Sequence, residues 1–485
     1  MRLVILGGGG FRVPLVHRAL AGRIRSGALD VDELVLYDID SERLGVIGSV
    51  LPETPGLRVR TTTDLPDAMT GADVVFSAIR VGGAAGRVRD ERRALDLGLL
   101  GQETVGAGGL SYALRTLPVV LDAARLQARI APDAWLINFT NPAGLITEAL
   151  TGVLGRRVIG ICDSPIGLIR RSVRALGLDP ALIDADYVGI NHLGWLRALH
   201  HDGRDLLPDL LADRAAVEGF EEGALFGAPV LQALGAIPNE YLYFFAESRA
   251  LAAQLAGTDT RGEVLAAQQQ RFYADAVGAP DRAAQLWEAA RRSREETYLA
   301  EARQEERAEE DLEGGGYEHV ALDLMAALTG GPAVEMIVNA PNGRAAGVTG
   351  AACAQNRHGG RAFEQADSQN TVSVATAISA AGAHSRIGDR AIAELPADMV
   401  IETRCRVNGS GASPLPVAPL ELYQLGMMTS VRAAERKIID AVVHRSRDAA
   451  LAGFALHPLV GSWDLAARLV DSVIADEPTV RELLA

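Results

Sequence analysis

The stretch LVILGGGGFRVPL, residues 3–15, decides the fold of the N-terminal half of the chain. An apolar run meets four consecutive glycines, and a segment with helical spacing follows. A strand, a tight glycine turn and a helix in this order are typical of a unit that binds a dinucleotide pyrophosphate. A plain strand-to-helix turn without a ligand has the same appearance, so the surrounding sequence has to distinguish the two.

Further short apolar runs occur at 34–39, 74–79, 135–140 and 158–162, separated by stretches with helical spacing. Continuous rather than alternating apolar strands indicate burial on both faces. The pattern predicts a Rossmann-like, doubly wound α/β domain with a parallel sheet over residues 1–195.

The pattern changes in the second half of the chain. After about residue 195, helical segments dominate residues 208–330, strand-like segments follow at 334–341 and 399–407, and helices extend from there to the end. We expect residues 196–485 to form a mixed α+β domain that binds substrate and supports assembly. The charged run at 291–316 is interpreted as a solvated helix face.

Composition excludes several classes of partner. With 47 Lys and Arg against 62 Asp and Glu, the net charge is −15, which disfavours nucleic acid and anionic membranes. No apolar run approaches the roughly 20 residues of a membrane span. The first strand begins at residue 2, and the three cysteines are sparse, so we expect a cytoplasmic protein. Cys353 and Cys405 are interpreted as structural.

The context of the glycine turn favours a nucleotide. Gly7 and Gly9 fit the first two glycines of the fingerprint, whereas Arg12 occupies the third position. The second strand ends at Asp38, where a carboxylate can bind the adenosine ribose hydroxyls. An aspartate there favours NAD over NADP, and Arg12 places a charge suited to an anion on the substrate side.

Two residues that can bind a metal follow apolar runs. Cys162 stands in GICDSP and His192 in GINHLGW. A thiolate and an imidazole can share one divalent metal and leave positions open for substrate oxygens. Ordinary core packing is the alternative for both residues. Asn141, in FTNPA, could bind a sugar hydroxyl.

Two more segments carry polar groups. Arg80 and Arg87 are flanked by glycines, and GQETVGAGG at 101–109 offers a loop of backbone amides; together they could hold an anion or simply connect a strand to a helix. Tyr241 and Tyr243 lie in IPNEYLYFF. They are either packing residues or a base whose pKa a cation must lower from about 10.

Six motifs occur in the order seen in glycoside hydrolase family four. They are LGGGG, GLLGQETVGAGG, FTNPAGL, GICDSP, GINHLGW and PNEYL, and the resemblance extends from residue 1 to about residue 265. This is the family of NAD- and metal-dependent glycosidases that includes the 6-phospho-β-glucosidases, an exception to the two-carboxylate rule.

The resemblance implies hydrolysis by redox-assisted elimination. NAD⁺ takes a hydride from C3 of the sugar, a base removes the acidified C2 proton, and the C1–O bond breaks. Water then adds, and the hydride returns to C3. The implied roles are Mn²⁺ or another divalent metal at Cys162 and His192; NAD at Gly7, Gly9, Gly10 and Asp38; substrate contacts at Arg12, Arg87 and Asn141; Tyr241 as the base, with Tyr243 as the alternative; and Asp163 as an aid to the leaving group.

Two departures keep alternatives open. Gly10, Phe11 and Arg12 stand where many relatives carry serine or threonine, and CDSP matches neither common pattern after the metal cysteine. We expect a 6-phospho-β-glucosidase acting on a phosphorylated disaccharide or glycoside as a homodimer or homotetramer. A 6-phospho-α-glucosidase, a glycosidase for another anionic sugar, and an NAD-dependent 2-hydroxy-acid dehydrogenase are the alternatives.

Overall fold

The computed structural model describes residues 1–297, 316–343 and 390–485. Its strands are β1 Arg2–Leu6, β2 Glu33–Tyr37, β3 Arg58–Thr62, β4 Val74–Ser77, β5 Trp135–Asn138, β6 Val158–Gly160, β7 Asp184–Ile190, β8 Leu193–His201, β9 Arg204–Asp205, β10 Ile237–Pro238, β11 Val334–Pro341, β12 Val400–Asn408 and β13 Gly411–Pro414.

The helices lie on both sides of these strands. They are α1 Val13–Arg25, α2 Ser41–Val50, α3 Leu65–Met69, α4 Gly83–Leu95, α5 Gly106–Ile130, α6 Ala143–Leu154, α7 Ser164–Ala175, α8 Leu207–Ala212, α9 Arg214–Glu218, α10 Glu221–Phe226, α11 Ala228–Leu234, α12 Leu242–Ala246, α13 Ser248–Leu255, α14 Arg261–Gly278, α15 Ala283–Glu296, α16 Tyr317–Leu328, α17 Leu422–Val443, α18 Arg447–Leu456, α19 Trp463–Asp476 and α20 Pro478–Leu484.

All described strands belong to one sheet. β1 to β6 are parallel in the order 3-2-1-4-5-6, the order of a doubly wound dinucleotide-binding fold. β11 joins this sheet by pairing antiparallel with β6, and β12, β7, β8 and β10 follow beyond it. The predicted fold class is therefore confirmed, and the sheet continues without a break past residue 195.

Burial on both faces explains the continuous apolar strands. Along β1, Leu3 and Ile5 pack in one core cluster, whereas Val4 and Leu6 pack in another. Successive side chains of a strand point to opposite faces, so a strand covered by helices on both sides must be apolar throughout. β3 at the edge of the sheet lacks this pattern, since its burial is at most partial, and the sequence reading missed it for that reason.

Other sequence expectations have mixed outcomes. Cys405 is buried in the core, as expected of a structural cysteine, and Cys353 lies outside the described residues. Most of the charged run, 298–315, also lies outside them, but Glu295 in its described part is buried rather than solvated. No helix in the described part of the chain is long and apolar enough to cross a membrane. The division at residue 195 stays a prediction.

Candidate active site

The glycine turn connects β1 to α1 and packs tightly on its neighbours. Gly7 has φ of +89°, and a Cβ at this position would lie 2.8 Å from the carbonyl oxygen of Ala78, just after β4. The amides of Gly7 and Gly8 donate to the carbonyl of Tyr37, and the amide of Gly10 donates to Gly7. These amides already donate to backbone carbonyls, so an anion bound here would contact the N-terminus of α1 instead.

Asp38 is fixed at the carboxyl end of β2. Its Oδ2 accepts from the amide of Gly9 at 3.0 Å and its Oδ1 from the amide of Asp40 at 3.2 Å. Gly9 is enclosed from the other side as well, because the hydroxyl of Tyr273 in α14 donates to its carbonyl at 2.7 Å. The half-buried carboxylate of Asp38 lies where the sequence predicted a ribose contact.

Arg12 connects the glycine turn to the loop after β6. It precedes α1, and its guanidinium lies 3.9 Å from a carboxylate oxygen of Asp163. It also lies over the ring of Tyr317 at 5.2 Å, and the Tyr317 hydroxyl donates to the Arg12 carbonyl at 3.1 Å. The structure thus brings together two of the predicted site residues and a tyrosine, Tyr317, that the sequence reading did not assign.

Glu103 organises the predicted anion site. Its Oε2 lies 2.6 Å from Arg87 and 2.9 Å from Arg80. Burial would raise the pKa of Glu103, but Arg80, Arg87 and Arg294 outweigh it and lower that pKa to about 2. Arg87, on α4, also pairs with Glu91 at 2.7 Å. It is therefore held in place by two carboxylates.

Arg294 of α15 adds a further cation to this cluster. Its guanidinium lies over the ring of Phe11 at 5.7 Å. Burial and the positive charges of Arg12 and Arg87 lower its pKa to about 9. An anion bound here would offset that repulsion. The solvated-face interpretation missed Arg294, because its charged neighbours concealed the one side chain that turns toward the glycine turn.

The expected loop of free amides is partly wrong. The side-chain oxygen of Gln102 accepts from the amides of Thr104 and Val105 at 2.6 and 2.9 Å, and Gly106 already begins α5. The Gln102 side chain thus closes a turn around Glu103 immediately before α5. Asn141, after β5, accepts from the amide of Ala143 at 3.3 Å, and its neighbour Pro142 lines a cavity together with His192.

His192 occupies a strained turn between β7 and β8. These strands form an antiparallel hairpin, and His192 has φ of +63°, an uncommon conformation for a residue with a side chain. Its Nδ1 is buried and finds no hydrogen-bond partner among the described residues. Burial lowers the pKa of His192 to about 3, so the imidazole is neutral, the form that binds a metal.

Tyr241 stacks directly on this histidine. The two ring centroids are 3.7 Å apart and the planes are inclined by 7°. Burial, together with the charges of Glu240 and Cys162, raises the pKa of Tyr241 well above its ordinary value. Tyr243 instead packs edge-on against Phe226, at 6.2 Å. Position therefore favours Tyr241 over Tyr243 as a reacting group.

Cys162 lies two residues beyond β6 and is buried. Burial, followed by the charges of Glu402 and Asp163, raises the pKa of its thiol well above the ordinary value. A divalent cation would reverse this, because a coordinated thiol is deprotonated. Within residues 1–297, 316–343 and 390–485 no group of three or more His, Cys, Asp or Glu side chains is arranged to hold a metal ion.

Comparisons with known proteins identify relatives over the whole chain. The sequence model described as family 4 glycosyl hydrolase matches residues 2–178, and that of the family's C-terminal domain matches residues 187–348 and 372–460. A probable 6-phospho-beta-glucosidase of Bacillus subtilis is 27% identical over 98% of this chain and 96% of its own. A 6-phospho-alpha-glucosidase of Lacticaseibacillus paracasei is 36% identical over 43% of this chain and 48% of its own.

A solved structure has the same fold. The 6-phospho-beta glucosidase of Thermotoga maritima, determined with manganese, NAD⁺ and glucose-6-phosphate, superposes with a TM-score of 0.75. The alignment covers 100% of this chain and 99% of that one at 23% identity.

Proposed function

The chain belongs to the family 4 glycosyl hydrolases, and from that premise we propose that it hydrolyses 6-phosphoglucosides with the help of NAD and Mn²⁺. Relatives named for both anomers support the phosphoglucosidase activity. We prefer the β-anomer because the relatives named 6-phospho-beta-glucosidase align over 98% and 95% of this chain, whereas the alpha-named relative of L. paracasei aligns over 43%.

One arrangement carries the proposal. The rings of His192 and Tyr241 are stacked, and Cys162 is close enough that a thiolate there would raise the pKa of Tyr241. The arginine cluster around Glu103 lies close enough to act on the same groups, since Glu103 influences both Tyr241 and His192 electrostatically. These contacts support the proposal that the metal-binding residues, the base and the anion site belong to one active site.

The residues fit the two groups that the family uses. Cys162 and His192 would hold the metal through a thiolate and a neutral imidazole with an unpartnered buried nitrogen, and substrate oxygens would supply the hard ligands that Mn²⁺ prefers. The glycine turn and the carboxylate of Asp38 would hold NAD. When bound, NAD supplies reversible hydride transfer at C3, and Mn²⁺ supplies Lewis acidity toward the neighbouring oxygens.

The chain's own residues perform the remaining work. Tyr241 removes the proton from C2 of the sugar, and a nearby cation must first lower its pKa. Asp163, held toward the glycine turn by Arg12, assists departure of the C1 oxygen. Arg12, Arg87 and Arg294 bind the 6-phosphate, and Asn141 contacts a sugar hydroxyl.

The test is hydrolysis of paired p-nitrophenyl substrates with NAD⁺, Mn²⁺ and a reductant present. We expect cleavage of the 6-phospho-β-glucoside and not of the unphosphorylated β-glucoside. Cleavage of the 6-phospho-α-glucoside alone would show that the enzyme is specific for the α-anomer instead. Full activity of protein stripped of both NAD⁺ and metal would refute the proposed chemistry, and net NADH accumulation at 340 nm would indicate a dehydrogenase.

A further inference from the structure

A buried hydrogen bond joins the two segments that carry the proposed metal ligand and the proposed base. The hydroxyl of Ser164, at the start of α7, donates to Oε1 of Glu240 at 2.6 Å. Ser164 is the second residue after Cys162, and Glu240 directly precedes Tyr241. Both side chains are buried, with 6% and 4% exposure.

The Glu240 side of this bond is anchored independently. The neighbouring Asn239 is fully buried, and its backbone amide donates to the carbonyl of Gly194 in β8 at 2.9 Å. Its side-chain amide donates to the Tyr187 hydroxyl at 3.1 Å, and that hydroxyl donates to Glu402 at 3.3 Å. The backbone that leads into Glu240 is therefore held against the sheet.

The Ser164 side is anchored by a different contact. Arg171, two turns further along α7, donates to Glu222 of α10 through Nε at 2.9 Å. This buried ion pair holds the helix against the elements that follow β9. The Ser164–Glu240 bond links these two segments directly, so its loss would remove one constraint on their spacing.

We propose that the Ser164–Glu240 hydrogen bond is a positioning device that fixes Cys162 relative to the stacked pair of Tyr241 and His192. The inference rests on the proposed function, since it takes Cys162 and His192 as the metal ligands. It assigns a use to the serine of CDSP, the motif in which this chain departs from the common family patterns. Glu240 acts through its neighbours, whereas Ser164 also hydrogen-bonds directly to the Cys162 thiol through its amide and hydroxyl.

The physical argument concerns distance. Cys162 and His192 come from different parts of the sheet, one after β6 and the other between β7 and β8. Two donors from separate loops bind one ion more tightly when their spacing is fixed before the ion arrives. The ring stack fixes Tyr241 on His192, and the serine–glutamate bond then ties that pair to the cysteine loop.

The experiment is a double-mutant cycle on the full-length, NAD-loaded protein. Ser164→Ala, Glu240→Ala and the double variant are titrated with Mn²⁺, and the free ion is followed by electron paramagnetic resonance. We expect each single variant to weaken Mn²⁺ binding by about tenfold, the lower end of the effect of residues that orient metal ligands. The double variant should bind Mn²⁺ no more weakly than the single variant with the lower affinity, because both changes break the same bond.

Two further variants serve as matched controls. Ser172→Ala removes another buried serine hydroxyl from α7, one with no hydrogen-bond partner in the described part of the chain, and should leave Mn²⁺ affinity unchanged. Glu240→Gln keeps an oxygen acceptor for Ser164 and should restore most of the affinity lost in Glu240→Ala. We expect Glu240→Ala to lower kcat without changing KM, and Glu240→Gln to restore kcat.

Additive losses in the double variant would overturn the inference, as would equal Mn²⁺ affinities of Ser164→Ala and Ser172→Ala. The second comparison still decides if Glu240→Ala does not fold. Failure of the proposed function has a different signature. If the protein cleaves no phosphoglycoside but the double-mutant cycle still shows coupled effects on Mn²⁺ binding, the proposed substrate is wrong and the positioning role of the hydrogen bond stands.

Discussion

Replacement of Arg294 by methionine should make the free protein more stable and its sugar-phosphate complex less stable. Burial and the charges of Arg12 and Arg87 oppose the charge of Arg294 and lower its pKa from the ordinary arginine value to about 9. Methionine keeps much of the apolar stem of the side chain and removes the charge. It should therefore relieve the repulsion within the cluster.

The magnitude follows from the size of this shift. At about 1.4 kcal/mol per pKa unit, a fall of 3.5 units corresponds to about 5 kcal/mol for keeping the charge. The side chain is only partly buried, so solvent screening reduces this upper bound, and we expect Arg294→Met to stabilise the free protein by about 1–3 kcal/mol. Because the folded-state pKa lies below the unfolded one, the cost is fully present at neutral pH and is relieved only above about pH 9.

The ligand-bound protein should show the opposite effect. A hydrogen bond to a charged group contributes about 1.5–3 kcal/mol, so the Kd for glucose 6-phosphate should rise by roughly 10- to 100-fold in Arg294→Met. Thermal unfolding followed by intrinsic fluorescence, with and without glucose 6-phosphate, measures both effects. Arg292→Met, which removes an exposed arginine of the same helix, is the control and should change neither quantity.

The result that would refute this reasoning is specific. If Arg294→Met destabilises the free protein and leaves stabilisation by glucose 6-phosphate unchanged, Arg294 is a structural cation and belongs to no anion site. A gain in stability with unchanged ligand binding would place the anion elsewhere in the cluster.

Three other predictions address the base, the anion cluster and the glycine turn. In the p-nitrophenyl assay, Tyr241→Phe should lower kcat by about 10²- to 10⁴-fold with unchanged NAD binding, whereas Tyr243→Phe should change kcat by no more than a factor of a few. Similar losses of kcat in both variants would contradict the assignment of Tyr241 as the base. The pKa of Glu103 is lowered to about 2, so its contribution to stability is complete above pH 4.5 and is lost as the pH falls toward 2. In acid unfolding, the free energy of unfolding of the wild type should therefore exceed that of Glu103→Gln by less and less as the pH falls through that range. A difference that does not change with pH would contradict the ion pairs of Glu103 with the arginines. Gly7→Ala should destabilise the protein by about 2–4 kcal/mol and weaken NAD binding in a fluorescence titration, because of its positive φ and the contact with Ala78. Gly48→Ala, in open space on α2, is the control and should not destabilise the protein or change NAD binding.

The sequence predicted what depends on local pattern. β1, β4 and β5 were found because strands buried on both faces are apolar at every position. Cys162, His192, Asp163 and Tyr241 were found because they lie in short motifs, and the structure places them near one another. Their roles are still predictions that the experiments above address.

The parts that could not be predicted depend on distant contacts. Arg294 reaches Phe11, and Tyr317 reaches Arg12, across about 300 residues of chain. Nothing in the local pattern of a charged helix indicates that the Arg294 side chain turns toward Phe11. Glu103 was visible inside a quoted motif, but its role became evident only when Arg80 and Arg87 were seen to converge on it.

The continuous sheet bears on how the site is assembled. The glycine turn, Glu103 and Cys162 belong to the region of the parallel strands, whereas His192 and Tyr241 come from β7 onward. β11 pairs with β6 through Asn339 and Gly160, and β12 pairs with both β11 and β7, so the hairpin that carries His192 is tied to the parallel strands by backbone hydrogen bonds. A hinge at residue 195 would break the pairing of β7 with β8 immediately beside His192. The geometry of the metal-type pair therefore depends on sheet pairing across the predicted boundary, and separate expression of residues 1–195 should give a fragment that lacks Tyr241 and has lost the support of His192.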